Sequence, residues 1–280
     1  MRSPHSGRHA SRLRGRGLDL EELRQYYPGD DIRRMDWKAT IRTGKPHVRT
    51  YTEERDRPVL LLVDQRISMF FGSRHKMKSV TAAEISALAA WSAISSEDRI
   101  GALIFNDDSV FELRPQQNPS AVPRLLHALV AYNRRLKVGG SNPGNDAQLN
   151  GVLLKAEKLC THDFFVILVS DLKGLDKTSV KRIKRIVRHN DIMILHVFDP
   201  LEKHLPPKGR YVVSDGQLQM EFDAGAKDIQ KRFSDHFVNR VHDLSDPLKK
   251  HLVPVIQVDT VHPVEDQIRR AMSGRSGRTR

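Results

Sequence analysis

The chain has 280 residues, 39% of them apolar, which is enough length and apolar content for a buried core that needs no covalent staples. Its single cysteine, Cys160, excludes an intramolecular disulfide framework and a paired-cysteine metal site, as expected for a reducing compartment. The net charge of +13 suits nucleic acid, anionic lipid or an acidic protein surface as partner.

Residues 1–16 carry five arginines (Arg2, Arg8, Arg12, Arg14, Arg16) and no acid, and residues 273–280 carry Arg275, Arg278 and Arg280. Both ends read as disordered basic arms, because they lack the apolar periodicity that would join a core. No apolar signal segment follows the basic start, and the longest apolar runs, Val59–Val63 and Phe164–Val169, fall far short of the roughly 18 residues of a membrane span. The expectation is a cytoplasmic protein with no membrane span.

Residues 17–57 are expected to form a segment that packs on the main domain. Within it Asp30, Asp31 and Asp36 alternate with Arg33, Arg34, Lys38 and Arg42, a pattern of salt-bridged turns rather than of a catalytic carboxylate pocket. Pro28-Gly29 marks a turn, and Trp37 is expected to bury its ring against the core.

The main domain, 58–272, alternates strands and helices. Pro58–Asp64 is continuously apolar and ends in an acid, the signature of a central parallel strand. Lys76–Ser95 reads as a helix. Asp98–Phe105 and Ser109–Leu113 flank the turn Asn106-Asp107-Asp108 as an edge hairpin. Asn118 is placed as the N-cap of a helix through Val130, Val138–Asn145 is a glycine-rich loop, and Asp146–Leu159 is helical. Phe164–Val169 and Ile192–Phe198 are further buried strands, separated by a very basic helix, Thr178–Arg188. Phe222–Leu244 is predicted helical, Leu252–Val258 a strand and Val264–Met272 a last helix. Strands joined by helices of this length predict an α/β fold, a Rossmann-like, doubly wound, mainly parallel sheet with an edge hairpin.

Two segments are more specific than this class: Leu23–Lys45, containing Tyr27-Pro28-Gly29-Asp30-Asp31 followed by Arg33, Asp36 and Trp37, and Tyr51–Asp64. They resemble the bacterial family catalogued as domain of unknown function fifty-eight, the dense likeness covering residues 17–72. The resemblance implies a von Willebrand factor A-like domain and genes often placed beside those of MoxR-type AAA+ ATPases. In metal-binding domains of that type the first strand ends in Asp-x-Ser-x-Ser, a later loop donates Thr, and another strand end donates Asp. Here the first motif is Asp64-Gln65-Arg66-Ile67-Ser68, the loop offers Ser141 or Asn142, and Asp171 matches the last acid.

A magnesium ion needs hard oxygen donors, and a guanidinium offers only donors and a fixed positive charge. Arg66 is therefore expected between Asp64 and Asp171 as a stand-in for the cation, leaving no metal and no cofactor; the alternative is that it points to solvent and a weak metal site survives. The remaining candidates are poor. Gly139-Gly140 lacks the Lys-Ser/Thr of a phosphate-binding loop, the 13 histidines show no ligand spacing, and Cys160 has no catalytic partner in the sequence. The function expected is that of a non-enzymatic adaptor with a protein partner, a MoxR-type ATPase by resemblance. The alternative is a nucleic-acid-binding protein using its basic helix and arginine arms, although no nucleic-acid motif is present.

Overall fold

The chain divides into two compact units, residues 1–56 and 57–280. The computed structural model describes residues 18–31, 33, 35–53, 57–137, 144–205, 209–214, 219–223, 230–232, 234–235, 237, 239 and 246–273.

In the first unit β1 (Leu18–Gln25) pairs antiparallel with β2 (His47–Glu53), and α1 (Trp37–Thr43) lies between them in sequence. Asp36 caps α1 by accepting the Ala39 N–H, and Gly44, at φ 70°, ends it in the left-handed conformation. The sequence predicts no strand here, because the alternation of leucines slips between Leu20 and Leu23; a β-bulge between Leu20 and Glu22 accounts for the slip. Trp37 corrects a second expectation. Its ring is not buried but 63% exposed, because α1 buries only Ala39 and a residue two positions away lies on the opposite side of the helix.

The second unit is a six-stranded sheet. Its elements in chain order are β3 (Val59–Asp64), α2 (Lys78–Ser95), β4 (Ile100–Phe105), β5 (Val110–Gln116), α3 (Ala121–Asn133), α4 (Gln148–Leu159) and β6 (Phe165–Ser170). They continue with α5 (Lys177–Val187), β7 (Asp191–Phe198), α6 (Pro200–Lys203), a separate hairpin of β8 (Arg210–Ser214) and β9 (Gln219–Asp223), then β10 (Val255–Asp259) and α7 (Val264–Ser273). The sheet order is β10-β7-β6-β3-β4-β5, with every neighbouring pair parallel except β4–β5. This is the doubly wound α/β fold with an antiparallel edge hairpin that the strand pattern predicts.

All six residues of β3 are buried, as a strand covered on both faces requires. Leu61 and Val63 share one apolar cluster with Ile85, Leu125 and Val264 of α2, α3 and α7. Leu60 and Leu62 share the other with Leu153 of α4 and Ile183 and Ile186 of α5. Strands follow β3 outward to β5 on one side and outward through β6 and β7 to β10 on the other. The topology therefore reverses between β3 and β6, the place where open α/β sheets have their binding crevice at the carboxyl ends of the strands.

Several element boundaries shift by a few residues, among them the strand expected at Leu252–Val258, which is Val255–Asp259, and two departures have a clear local cause. The N-cap of α3 is Ser120, whereas Asn118 accepts the Ser120 N–H at 2.9 Å in the turn before it. Phe222 belongs to β9 and not to a helix, and described helical residues begin at 230. The aromatic spacing that reads as helical starts inside a five-residue strand whose pairing with β8 is set across the chain, from Arg210 opposite Asp223.

Candidate functional site

Asp64 closes β3 and Asp171 follows β6, so the sheet itself brings the two carboxylates to the point where its topology reverses. Arg66 turns back on Asp64 at the start of a single 3-10 turn, Ile67–Met69. Its Nη2 donates to Asp64 Oδ2 at 2.7 Å, its Nε to Oδ1 at 3.0 Å, and its backbone N–H to Oδ1 at 3.0 Å. The same Nη2 donates to the Lys173 carbonyl at 2.9 Å and lies 3.8 Å from Asp171 Oδ1. Ser170 Oγ donates to Asp64 Oδ2 at 2.6 Å. The guanidinium carbon stands 5.6 Å from the Phe105 ring centroid, and the Arg66 side chain is 1% exposed. Arg66 does not point to solvent.

The strongest partner of Asp171 is one that sequence reasoning missed. Lys78, in the first turn of α2 and 2% exposed, donates from Nζ to Asp171 Oδ2 at 3.0 Å and to Glu202 Oε1 at 2.7 Å. Nothing in the local sequence marks it, since its two acids lie 93 and 124 residues away. Burial raises the Asp171 carboxyl, but Lys78, the Lys173 N–H and Arg66 outweigh that and hold it well below the usual carboxylate range. Complete burial pushes Asp64 above its ordinary value against the pull of Arg66 and Ser170. Burial also lowers Arg66 and Lys78, yet the facing carboxylates overcome it and keep both protonated.

Around this centre the loops are tied to one another. Asp107, from the β4–β5 turn, accepts the Ile67 N–H through Oδ2 and the Asn145 N–H through Oδ1, each at 2.7 Å. Gly174, at φ 80°, approaches Asp146 so closely that a Cβ would sit 2.5 Å from its carbonyl oxygen. Asp199, after β7, accepts the Ser73 N–H at 2.9 Å, the Leu201 N–H at 2.9 Å and the Thr260 hydroxyl at 2.6 Å. Ser141 and Asn142 lie outside the described residues.

The donor set does not fit a divalent cation. A magnesium ion would have to share Asp64 and Asp171 with two buried cations already bonded to them, and its preferred octahedron of oxygens has no room for a guanidinium. Ser68 Oγ, in the position of the last serine of the motif, is buried and has no hydrogen-bond partner among the described residues. Among the described residues no group of three His, Cys, Asp or Glu is placed to hold a metal ion.

In the first unit the acids of the motif work on its own backbone. Asp30 accepts two bonds from Arg24, at 2.7 and 2.8 Å, and one from the Tyr27 N–H at 2.8 Å, and the Arg24 bond holds its carboxyl below the usual range. Arg24 also stands 5.6 Å from the centroid of the Tyr27 ring. Gly29, at φ 108°, makes the turn that follows Pro28. Asp31 accepts the Arg33 N–H at 3.0 Å, and Asp36 caps α1. Tyr27 and Trp37 are exposed, at 64% and 63%.

A family described as "Protein of unknown function DUF58" matches residues 22–242, from β1 through the sheet to beyond β9. The chain belongs to the DUF58 family. Among curated relatives, uncharacterized proteins of Mycobacterium tuberculosis and Mycobacterium bovis are each 26% identical over 211 residues, 75% of this chain and 64% of the relative. The chain therefore spans about two thirds of their length, 64%. Similar solved structures include the conserved hypothetical protein BatB from Bacteroides thetaiotaomicron (14% identity, TM-score 0.48, 79% of this chain and 98% of that one). A von Willebrand factor type A protein from Catenulispora acidiphila is similar at 12% identity and TM-score 0.41, over 81% of this chain and 44% of its own. Among the described residues no helix is long and apolar enough to cross a membrane.

Proposed function

We propose that the chain is a non-enzymatic protein–protein interaction module of the von Willebrand factor A type, with a degenerate metal site in which Arg66 takes the cation's place. The observation that carries this reading is the buried Arg66 guanidinium, bonded to Asp64 and facing Asp171 where the sheet topology reverses. Open α/β sheets present their binding loops at that edge. A face whose charges are neutralised internally offers a partner fixed shape and fixed backbone groups, and needs no ion to complete it.

An enzyme reading finds less support. General acid-base work needs a titratable group open to substrate, whereas Asp64, Asp171, Arg66 and Lys78 are at most 7% exposed and spend their charges on one another or on Glu202. Cys160 is buried, and burial pushes its thiol up to about 12, far from a reactive thiolate.

The partner that the family resemblance implies is a MoxR-type AAA+ ATPase, with the chain acting in assembly or maturation of other proteins in the cytoplasm. The test is a titration of the immobilised chain with the purified MoxR-type ATPase of the same host, in its ATP-bound and ADP-bound states. A saturable complex that prefers one nucleotide state and is weakened by Lys173→Glu, an exposed residue of the proposed face, is expected. No complex in either state would remove this partner.

A further inference from the structure

The basic helix α5 has no part in the site above. It lies on the sheet through Ile183 and Ile186, both buried, with Val180 and Val187 packed beside them. Lys177, Lys181, Lys184 and Arg188 recur at steps of four, three and four residues, which at 3.6 residues per turn places them in one line on the opposite side. All four are exposed. The line runs about 16 Å, at about 1.5 Å per residue.

The other two cations of the helix share one acid: Arg182 Nη1 lies 3.4 Å and Arg185 Nη1 3.1 Å from the Glu157 carboxylate. No described acid pairs with Lys177, Lys181, Lys184 or Arg188. The neighbouring acids are engaged elsewhere, since Asp176 caps α5 by accepting the Ser179 N–H at 2.8 Å and Asp191 is paired with Arg57. Like charges three and four residues apart repel along a helix, so α5 carries a repulsion that its own fold leaves unrelieved. A line of external anions would relieve it.

The composition of the stripe selects among anionic partners. It presents no apolar or aromatic side chain among its four positions. It therefore has nothing to insert into a lipid interface. Lysine is depleted from the cores of protein interfaces, where aromatic anchors supply most of the energy, so a lysine-dominated line is poorly suited to a protein partner. It also lacks rings on which unstacked bases would sit. A regular row of flexible cations matches a regular row of phosphates, and phosphate contacts position a protein without reading bases.

We propose that the outer face of α5, through Lys177, Lys181, Lys184 and Arg188, binds the phosphodiester backbone of a nucleic acid independently of its sequence. The inference is independent of the adaptor reading and stands or falls separately from it.

The test uses the full chain and a fluorescein-labelled DNA duplex of about 20 base pairs, followed by anisotropy between about 50 and 200 mM salt. The variant Lys181→Gln/Lys184→Gln/Arg188→Gln is compared with Arg124→Gln/Arg134→Gln/Lys137→Gln, which removes the same charge from exposed positions on and just after α3. All six positions are at the surface or lack core contacts, and circular dichroism verifies that both variants keep the wild-type fold. At about 0.9 per phosphate contact, the α5 variant is expected to lose about 3 from the magnitude of the slope of log affinity against log salt, and about tenfold in affinity at the lowest salt. The control variant keeps the wild-type slope.

Equal weakening of both variants would reduce the effect to net charge and overturn the proposal. So would a complex that distinguishes the duplex from one of scrambled sequence. Phosphatidylserine vesicles or poly-glutamate that bind through the same three residues more tightly than the duplex would reassign the stripe to a membrane or to an acidic protein.

Discussion

Taking one charge out of a buried pair leaves its partner without compensation in a low-dielectric interior, which costs more than the pair itself contributes. Arg66→Ser strands Asp64, which is wholly buried and, among the described residues, keeps only the Ser170 hydroxyl as a native side-chain donor. The variant is expected to lose about 3–5 kcal/mol in urea denaturation in the presence of chelator. Magnesium should restore part of this loss by binding the native state. The restoration should be larger in Arg66→Ser/Lys78→Met, because Lys78 otherwise stays on Asp171 and repels the ion. Melting of both variants that is indifferent to magnesium would show that Arg66 does not stand in for a cation. This centre was half legible in the sequence. The family resemblance points to Arg66, because it stands where the metal-binding motif Asp-x-Ser-x-Ser has its first serine. Lys78 was not legible, since only the packing of α2 on the sheet brings it to Asp171, which Arg66 itself approaches only to 3.8 Å.

At the scale of elements, the reading succeeded where burial imposes a pattern and failed where pairing is local and exposed. β3, β6 and β7 are apolar along nearly their whole length because helices cover both faces, so their sequences leave little choice. Among the described residues the hairpins β1–β2 and β8–β9 are two-stranded and belong to no larger sheet. Their residues are not selected by a two-sided core, and the bulge in β1 breaks the period that would have revealed it. Loop geometry was legible only in outline. Val138–Asn145 was marked as glycine-rich, but a glycine that the described loops require at a positive φ is Gly174, where the loop after β6 meets Asp146. A Cβ there would sit 2.5 Å from a backbone oxygen, at a φ that L residues rarely adopt. Gly174→Ala is therefore expected to destabilise the protein by about 1–3 kcal/mol. It should also raise amide exchange at Lys173 and Asn145, whose carbonyls accept bonds from Arg66. Wild-type stability with unchanged exchange would show that the two loops do not need their close approach.

Across the whole molecule, acids collect at one edge of the sheet, with Asp64, Asp171, Asp199 and Asp259 at or just after the ends of β3, β6, β7 and β10. Burial raises Asp171, Asp199 and Asp259, but their bonds outweigh it and hold all three below the ordinary aspartate value; Asp64 alone is raised. A carboxyl lowered in the folded state stabilises fully above its unfolded pKa of about 3.9, and that stability is lost as pH falls through the folded pKa. The raised Asp64 acts in the opposite sense. Histidine protonation and the growing positive charge of a chain already at +13 also change stability on acidification, so a single curve would mix their effects. The comparison of wild type with Asp199→Asn isolates one member, because the two proteins share every histidine and nearly all the charge. Asp199 ties Ser73, Leu201 and Thr260 together, and so joins the loop after β3 to the ends of β7 and β10. The gap in unfolding free energy between the two proteins, measured by urea denaturation, is expected to stay constant from about pH 7 to 5 and to narrow below about pH 4. A gap that widens on acidification would mean that Asp199 is protonated in the folded state. A gap that changes near pH 6 would assign the linkage to a histidine.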